Sequence, residues 1–419
     1  MTTTDSTTSA GVRVVTEAMP SMRSVALGLW FRVGSRDEDA TTYGCSHFLE
    51  HLLFKGTTRR TARDIAEVLD GIGGEANAFT SREQTCFYAR VLDRDLPVAL
   101  EVLADMVRDA TNAPVDVDAE REVVLEEIAI HLDTPDDLVM TELSELAFGG
   151  HPLGLETLGS VDSITDMDRD TIHGWFVDRY RPEDLVVTVA GNVEHADVVA
   201  QVEELVGDLG RPGSGARARS TPAPVTTGEV AVRRRPTEQA HVAVAAPGVD
   251  VHDEARPALR LASTALGEGM SSRLFQEIRE VRGLAYTTFS FVGSYTDAGM
   301  VGAYVGTTPG RLDEAVGVLR DELVRLPETL TRDEVERARA AITGGTVLGL
   351  EDPASRMLRL GQLAVTGRPL LTIDESLART EAVTMEQVVD AARWFAGPRC
   401  LAVVGPIDED PDRFAAHVA

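Results

Sequence analysis

The two halves of this 419-residue chain resemble each other, and this internal repeat limits what the chain can fold into. Residues 25–31 and 241–246 are both apolar segments, about 216 positions apart, and each is soon followed by acidic residues. Later in each half a Trp-Phe pair, at 175–176 and at 394–395, precedes a second apolar segment. The sequence therefore predicts a duplicated domain.

A stretch rich in Gly, Pro, Ser and Arg separates the two halves and has no apolar periodicity, which is typical of a linker. The length fits two or three domains, because a single domain usually has roughly 100–200 residues. We predict a disordered Thr/Ser-rich tail over residues 1–10, a first domain over 11–208, a linker over 209–227 and a homologous second domain over 228–419.

Alternating apolar residues and β-branched residues predict strands in the first half near residues 12–17, 24–33, 84–92 and 185–190. Predicted helices of the second half lie near residues 254–267, 271–282, 310–326, 331–349 and 352–365. The strands and helices do not alternate regularly as in βαβ units. This order favours an α+β fold in which each domain is a mainly antiparallel sheet covered by helices, the two domains being related by the duplication.

Composition excludes several classes of function. With 68 acidic and 40 basic residues the formal net charge is −28, which opposes binding to nucleic acids and to anionic membranes. No apolar run approaches the roughly 18 residues needed to span a bilayer. Cys45, Cys86 and Cys400 are far apart and outside any CxxC spacing, which indicates a reducing compartment. We expect a cytoplasmic protein without nucleic acid or membrane partners.

One short motif carries recognisable chemistry. His47, Glu50 and His51 stand at positions i, i+3 and i+4, so on a helix they share one face. Two imidazoles one turn apart can bind a single Zn²⁺ ion, and the carboxylate of Glu50 can act as general base toward a water molecule. The spacing H-x-x-E-H is a metallopeptidase signature. On these residues alone, the alternative is a helix whose histidines pair with acidic neighbours.

A hydrolytic zinc site needs a third protein ligand. The predicted helix over residues 118–128 offers four carboxylates, those of Glu120, Glu122, Glu126 and Glu127. Glu120 and Glu127 lie two turns apart on one stripe, whereas Glu126 is rotated by about 100° from Glu127. Spacing alone leaves the choice open, because each of these carboxylates can also be a solvated surface charge.

The sequence resembles the pitrilysin-type zinc metallopeptidases, the inverzincins, and within them the bacterial relatives of mitochondrial processing peptidase. The resemblance extends over nearly the whole chain after the tail. It is carried by four segments, residues 47–51, 73–80, 120–128 and 151–154.

The resemblance implies one Zn²⁺ per chain, bound by His47, His51 and Glu127, since the distal glutamate ligand of the family lies about 76 positions after the second histidine. It also implies that Glu50 is the general base. Glu120 would then orient a ligand or the base without binding the metal itself.

The second repeat is expected to lack a metal site, because the positions about 216 residues after His47 and His51 are Ser263 and Gly267.

Three further assignments follow from the resemblance. Arg279 and Tyr286 match a pair, seven positions apart, that closes over the zinc from the opposite half in the family, with Arg282 as the competing choice. A tyrosine hydroxyl and a guanidinium can stabilise a developing oxyanion. Asn77 and Ala78 match an edge strand that pairs with extended peptides. On the residues alone, the alternative is that these positions are ordinary packing, surface and turn residues.

The function implied is that of a zinc-dependent endopeptidase that cleaves extended peptides inside a closed chamber formed by a homodimer. The alternative is a non-catalytic or half-active subunit of a hetero-oligomeric assembly. Charge adds a hypothesis about the substrate, because residues 1–208 carry about −24 of the net charge. Such a surface would favour cationic peptides.

Overall fold

A computed structural model describes residues 2–207, 209, 219 and 225–418. The strands in these ranges are β1 Thr2–Thr7, β2 Arg13–Ala18, β3 Ser24–Phe31, β4 Glu75–Thr80, β5 Thr85–Leu92, β6 Leu185–Gly191, β7 Val230–Arg234, β8 Ala240–Pro247, β9 Ala285–Ser294, β10 Gly299–Thr307 and β11 Cys400–Gly405.

The α-helices of the same ranges are α1 Cys45–Leu53, α2 Ala62–Gly71, α3 Leu96–Asp109, α4 Pro114–Asp133, α5 Pro135–Phe148, α6 Val161–Asp166, α7 Arg169–Arg179, α8 His195–Val206, α9 Arg256–Gly267, α10 Leu312–Thr329, α11 Arg332–Gly349, α12 Pro353–Val365, α13 Ile373–Glu381 and α14 Met385–Ala396. Shorter helical segments are the 3₁₀ turns Ser35–Asp37, Asp93–Asp95, Pro152–Gly154, Pro182–Asp184, Pro309–Arg311 and Pro411–His417, and a π-helix at Phe275–Val281.

The chain packs as two compact units, each built from three separate segments. Unit 1 contains Met1–Ile128, Glu156–Ser220 and Leu348–Thr372, and unit 2 contains Ala129–Leu155, Thr221–Val347 and Ile373–Ala419. Each unit therefore combines segments from both halves of the sequence.

These packing units divide the chain differently from the predicted domains over residues 11–208 and 228–419. Most of the predicted linker, residues 209–227, lies outside the described residues.

The sheet of unit 1 has the strand order β1-β2-β6-β3-β5-β4. Its neighbouring strands are antiparallel except for β2 and β6, which are parallel. The sheet of unit 2 has the order β7-β11-β8-β10-β9 and likewise contains one parallel pair, β7 with β11. Five strands of the first sheet thus recur in equivalent positions in the second, and the predicted α+β fold with mainly antiparallel sheets is confirmed.

Helix α12 covers one face of the first sheet and packs on β2, β3 and β6. Ala26 and Trp30 of β3 point to this face, because side chains alternate along a strand. Trp30 contacts α12 so closely that a Cβ atom at Gly361 would lie 2.0 Å from its ring. The neighbouring Leu27 and Leu29 are fully buried on the opposite face, where α3 packs against β3 and β5.

Unit 2 repeats this layering with α5 in the place of α12. Helix α5 packs on β8 and β11, against Ala243, Ala245 and Ala402. The alternate residues Val242 and Val244 belong to a separate apolar cluster with α9, α10 and α14.

The prediction of a disordered tail over residues 1–10 is wrong for Thr2–Thr7, which form β1 at the edge of the first sheet. Two contacts beyond the backbone ladder hold this polar strand. Asp5 accepts two hydrogen bonds from the Arg13 guanidinium, at 3.1 and 2.7 Å, and Ser6 Oγ lies 2.8 Å from His195 Nε2. A threonine-rich strand needs no apolar face when it lies at an edge.

None of the helices in the described part of the chain is both long enough and apolar enough to cross a membrane.

Candidate metal centre

Helix α1 carries the histidine motif and is fixed at its start by a buried carboxylate. Gly44, just before the helix, has φ +90°, a left-handed conformation that favours glycine. It offers no side chain to cap the helix. The Glu38 carboxylate takes that role, accepting hydrogen bonds from the backbone N–H of Gly44 at 2.8 Å and of Ser46 at 2.7 Å. Burial raises the pKa of Glu38 to about 7, although these two hydrogen bonds lower it.

Apolar residues orient the helix. Phe48, Leu49, Leu52 and Leu53 are fully buried. The histidine face is therefore turned away from this core and remains partly accessible, with 14% of the His47 side chain and 18% of the His51 side chain exposed.

Three side-chain atoms converge on one point beside this face. Glu127 Oε2, from α4, lies 3.6 Å from His47 Nε2 and 3.5 Å from His51 Nε2. One ligand atom from each of the three residues lies within 4.8 Å of the others. Within the described ranges, no other group of three or more His, Cys, Asp or Glu residues has ligand atoms this close together.

The cluster fits a zinc ion. Metal–ligand bonds of about 2.0–2.1 Å at tetrahedral angles place neighbouring donor atoms about 3.3 Å apart. Glu127 Oε2 is buried and has no hydrogen-bond partner among the described residues, which leaves it free to coordinate a cation. Burial, with a smaller contribution from His51, lowers the pKa of His47 to about 4, so its imidazole is neutral and can be a ligand near neutral pH.

A second carboxylate orients His51. Glu120 Oε2 lies 3.1 Å from His51 Nδ1, and Glu120 Oε1 lies 2.5 Å from Lys55 Nζ. A hydrogen bond donated by Nδ1 to a carboxylate fixes the tautomer whose free lone pair is on Nε2, the atom beside Glu127. The structure thus places Glu120 beside a candidate ligand, and its role in orienting that ligand stays a prediction.

Glu50 lies on the same face and is held by a hydroxyl group. Thr80 Oγ1, at the end of β4, donates a hydrogen bond of 2.6 Å to Glu50 Oε2. Burial raises the pKa of Glu50, while the Thr80 hydrogen bond and His51 lower it and Glu127 raises it. A partly buried carboxylate beside a cation site is suited to accept a proton.

The glutamates of α4 differ in their contacts. Glu120 and Glu127 both reach His51 of α1, whereas Glu122 and Glu126 are exposed.

In the second repeat, the positions that correspond to the histidines are occupied by packing contacts. Ser263 Oγ lies 3.1 Å from Ser290 Oγ, and Ser290 Oγ also donates to the Ser263 carbonyl oxygen at 2.7 Å. At Gly267 an added Cβ would lie 2.3 Å from the Ser290 backbone nitrogen. A side chain large enough to bind a metal does not fit at this position.

The structure brings Arg279 and Tyr286 together within unit 2. The Arg279 guanidinium carbon lies 4.0 Å from the centre of the Tyr286 ring, and its Nη1 donates to the Tyr286 carbonyl oxygen at 3.3 Å. Tyr286 is 74% exposed. The competing choice, Arg282, is instead paired with Glu277. Participation of Arg279 and Tyr286 in a reaction stays a prediction.

Asn77 and Ala78 lie on β4, which is an edge strand of the first sheet. Asn77 is exposed, and its Oδ1 accepts a hydrogen bond of 2.8 Å from the Ala78 amide. Binding of a peptide at this edge stays a prediction.

Sequence reasoning missed three residues that support the site, namely Glu38, Lys55 and Thr80. Glu38 and Lys55 flank the motif in the sequence, and Thr80 ends a segment already singled out. Their contacts depend on packing, so a signal was available only for Lys55, which is the single lysine of the chain.

Comparison with known proteins places the chain in a family. Residues 13–161 match the model of the insulinase family, peptidase family M16, and residues 166–342 match the model of the peptidase M16 inactive domain. The chain belongs to peptidase family M16. The predicted membership of the pitrilysin-type family is thereby confirmed.

Several M16 relatives are similar over almost their whole length, and each is described as an uncharacterized zinc protease. The Streptomyces coelicolor protein is 44% identical over 417 residues, covering 98% of this chain and 91% of that protein. The Bacillus subtilis protein is 38% identical over 403 residues, covering 96% of this chain and 98% of that protein.

Solved structures show the same fold. A peptidase M16 inactive domain from Pseudomonas fluorescens superposes with a TM-score of 0.90 at 20% identity, covering 98% of this chain and 100% of that chain. A protease from Helicobacter pylori gives a TM-score of 0.88 at 21% identity, covering 97% and 99%.

Proposed function

We propose that this M16 protein is a zinc-dependent endopeptidase that hydrolyses extended peptides. The observation that carries the proposal is the convergence of His47 Nε2, His51 Nε2 and Glu127 Oε2 beside the carboxylate of Glu50. Three protein ligands with one open position are the ligand set of hydrolytic zinc sites.

Each residue of the centre has a distinct task in this reaction. Zinc, when bound, supplies a Lewis acid that polarises the scissile carbonyl group. Glu50 accepts a proton from the attacking water molecule and returns it to the leaving amine. Thr80 holds the Glu50 carboxylate in place, and Glu120 holds the His51 ring.

Peptide binding is assigned to the edge of β4. A peptide that pairs with this strand forms backbone hydrogen bonds that do not depend on its sequence. The Ala78 amide, now bonded to the Asn77 side chain, is a donor that such a peptide would take over. Arg279 and Tyr286 are proposed, from the family resemblance, to bind the substrate carbonyl during the reaction.

Three further features belong to the proposal. We assign the working form to a homodimer that encloses its substrates, and cationic peptides to the preferred substrates because of the acidic first half. The three cysteines are free and buried, which fits a reducing compartment such as the cytoplasm.

Cleavage of a quenched fluorescent peptide by the purified chain tests the proposal. Loading with zinc should give activity, chelation should remove it, and Glu50→Gln should lower kcat by about 10²–10⁴ while the bound zinc remains. Glu122→Gln, an exposed carboxylate on α4, is the matched control and should leave kcat unchanged.

Equal turnover by wild type and Glu50→Gln would refute the assigned mechanism. A wild-type chain that binds zinc but cleaves peptides only after addition of an unlike partner chain would support the hetero-oligomeric alternative instead.

A further inference from the structure

All but one of the 40 Lys and Arg residues of this chain are arginine, and the exception is Lys55 at the metal centre. Lys55 follows the C-terminal end of α1, where its backbone N–H donates to the Leu52 carbonyl oxygen at 3.1 Å. Its ammonium group lies 2.5 Å from Glu120 Oε1. The Lys55 side chain is 36% exposed and that of Glu120 only 7%, so the ion pair is shielded on the glutamate side.

Glu120 links this ammonium group to a metal ligand. Its two oxygens have different partners, because Oε1 pairs with the Lys55 ammonium group and Oε2 lies beside His51 Nδ1. The orientation of His51 therefore depends on a carboxylate whose own position depends on Lys55. We propose that Lys55 is a positioning residue that sets the zinc affinity of the site through Glu120 and His51.

Charge balance supports this role. Three carboxylates surround the centre, those of Glu50, Glu120 and Glu127, and the two histidines are neutral as ligands. Lys55 is the only Lys or Arg that pairs with any of these carboxylates among the described residues. One ammonium group and one divalent ion neutralise three carboxylates. Without the ammonium group, the shielded Glu120 carboxylate has no cation and its hold on His51 weakens.

The geometry also explains why this position holds lysine in a chain that otherwise uses arginine. A guanidinium group tends to bind both oxygens of a carboxylate, whereas an ammonium group is a compact point charge that can bind one. Glu120 Oε2 already lies 3.1 Å from His51 Nδ1, and Lys55 contacts the other oxygen, Oε1. An arginine at position 55 would compete with His51 for Oε2.

This role of Lys55 rests on the proposed function, and zinc binding separates the two. The test measures the zinc dissociation constant of the full-length protein by competition with a chromogenic chelator, without any peptide substrate. Lys55→Met should weaken zinc binding by about 10–100-fold, the usual effect of losing a group that orients a ligand. Lys55→Arg should also weaken it, because the bidentate fork displaces His51.

The matched control is Arg59→Met. Arg59 forms an ion pair with Glu101 at 2.5 Å, and neither residue contacts the centre. The zinc affinity of the Arg59→Met variant should equal that of wild type.

A chemical rescue identifies the ammonium group as the cause. Lys55→Cys can be folded first and then alkylated with 2-bromoethylamine, which restores an ammonium group on a side chain of lysine length. Cys45, Cys86 and Cys400 are buried, and burial raises the pKa of each thiol, so they react slowly. Aminoethylation should restore zinc affinity, and alkylation with iodoacetamide should not.

Zinc affinities of Lys55→Met and Lys55→Arg within twofold of wild type, or equal affinity after the two alkylations, would overturn the role of Lys55 while leaving the metal site intact. A wild-type chain that binds no zinc would remove both this role and the proposed function.

Discussion

Glu38 offers a sharp test of how helix α1, which carries the two histidines, is held in place. Its carboxylate is buried and binds two backbone N–H groups at the start of α1. Its pKa of about 7 lies above the ordinary value of 4.5 because burial penalises the charged form. Between these values the unfolded chain has released the proton while the folded chain still holds it. The contribution of Glu38 to the stability of this region is therefore greatest below pH 4.5 and is lost as pH rises to about 7.

The magnitude follows from the two pKa values. Each tenfold change in proton affinity corresponds to about 1.4 kcal/mol, so the full loss of stability is about 3 kcal/mol. Glu38→Gln cannot titrate and removes this pH dependence. In the variant, the amide nitrogen of the glutamine faces one of the two backbone N–H groups and leaves it without an acceptor. This lowers the stability by about 1–3 kcal/mol at all pH values. The variant should be less stable than wild type at pH 5 and close to it at pH 8.

Hydrogen exchange of peptides that cover α1 is the suitable assay, because unfolding of a chain with two units is not a single equilibrium. The protein is kept metal-free, and wild type and variant are compared at each pH so that intrinsic exchange rates cancel. The protection factor of wild type divided by that of Glu38→Gln should fall on the order of a hundredfold between pH 5 and pH 8. Glu67→Gln, an exposed carboxylate on α2, is the control, with a ratio independent of pH. A constant ratio for Glu38→Gln would refute the reasoning.

Three other expectations concern the site and the fold. Glu127→Gln should abolish stoichiometric zinc binding in dialysed protein, and Glu126→Gln should retain it; equal zinc content would contradict the ligand assignment. Thr80→Val should lower kcat about tenfold in peptide cleavage, since Glu50 loses a charge-assisted hydrogen bond, whereas serine at this position should preserve kcat. A fragment of residues 11–208 should lack cooperative unfolding by circular dichroism, because it lacks α12; a sharp transition would count against this.

The three candidate ligands could be named from the sequence because they lie on two helices with regular spacing. His47 and His51 share a face through helical spacing alone, and Glu127 follows from the family distance. The phase of α4 then distinguishes Glu127 from Glu126 once its packing partner is known. What spacing could not supply was the direction in which α4 presents its stripe, since that depends on the packing of α4 against α1.

Other features depend on contacts between distant parts of the chain and left no local pattern. In the sequence, Glu38 is one of several acidic residues in a polar segment. Only the folded structure shows that its carboxylate lies at the start of α1. The threonine-rich tail has the composition of a disordered segment, yet backbone pairing with β2 makes it a strand. The predicted helix over residues 271–282 contains a π-helix at Phe275–Val281, a difference in hydrogen bonding that apolar periodicity does not reveal.

The position of α12 in the sequence has a consequence for synthesis of the protein. The first sheet is complete in sequence when β6 ends at Gly191, but the helix that covers one of its faces begins about 160 residues later, at Pro353. At translation rates of about 5–20 residues per second, the face that contains Trp30 stays uncovered for about 10–30 s on the ribosome. During that interval the nascent chain exposes an apolar sheet surface, and we expect it to be prone to aggregation unless a chaperone covers it.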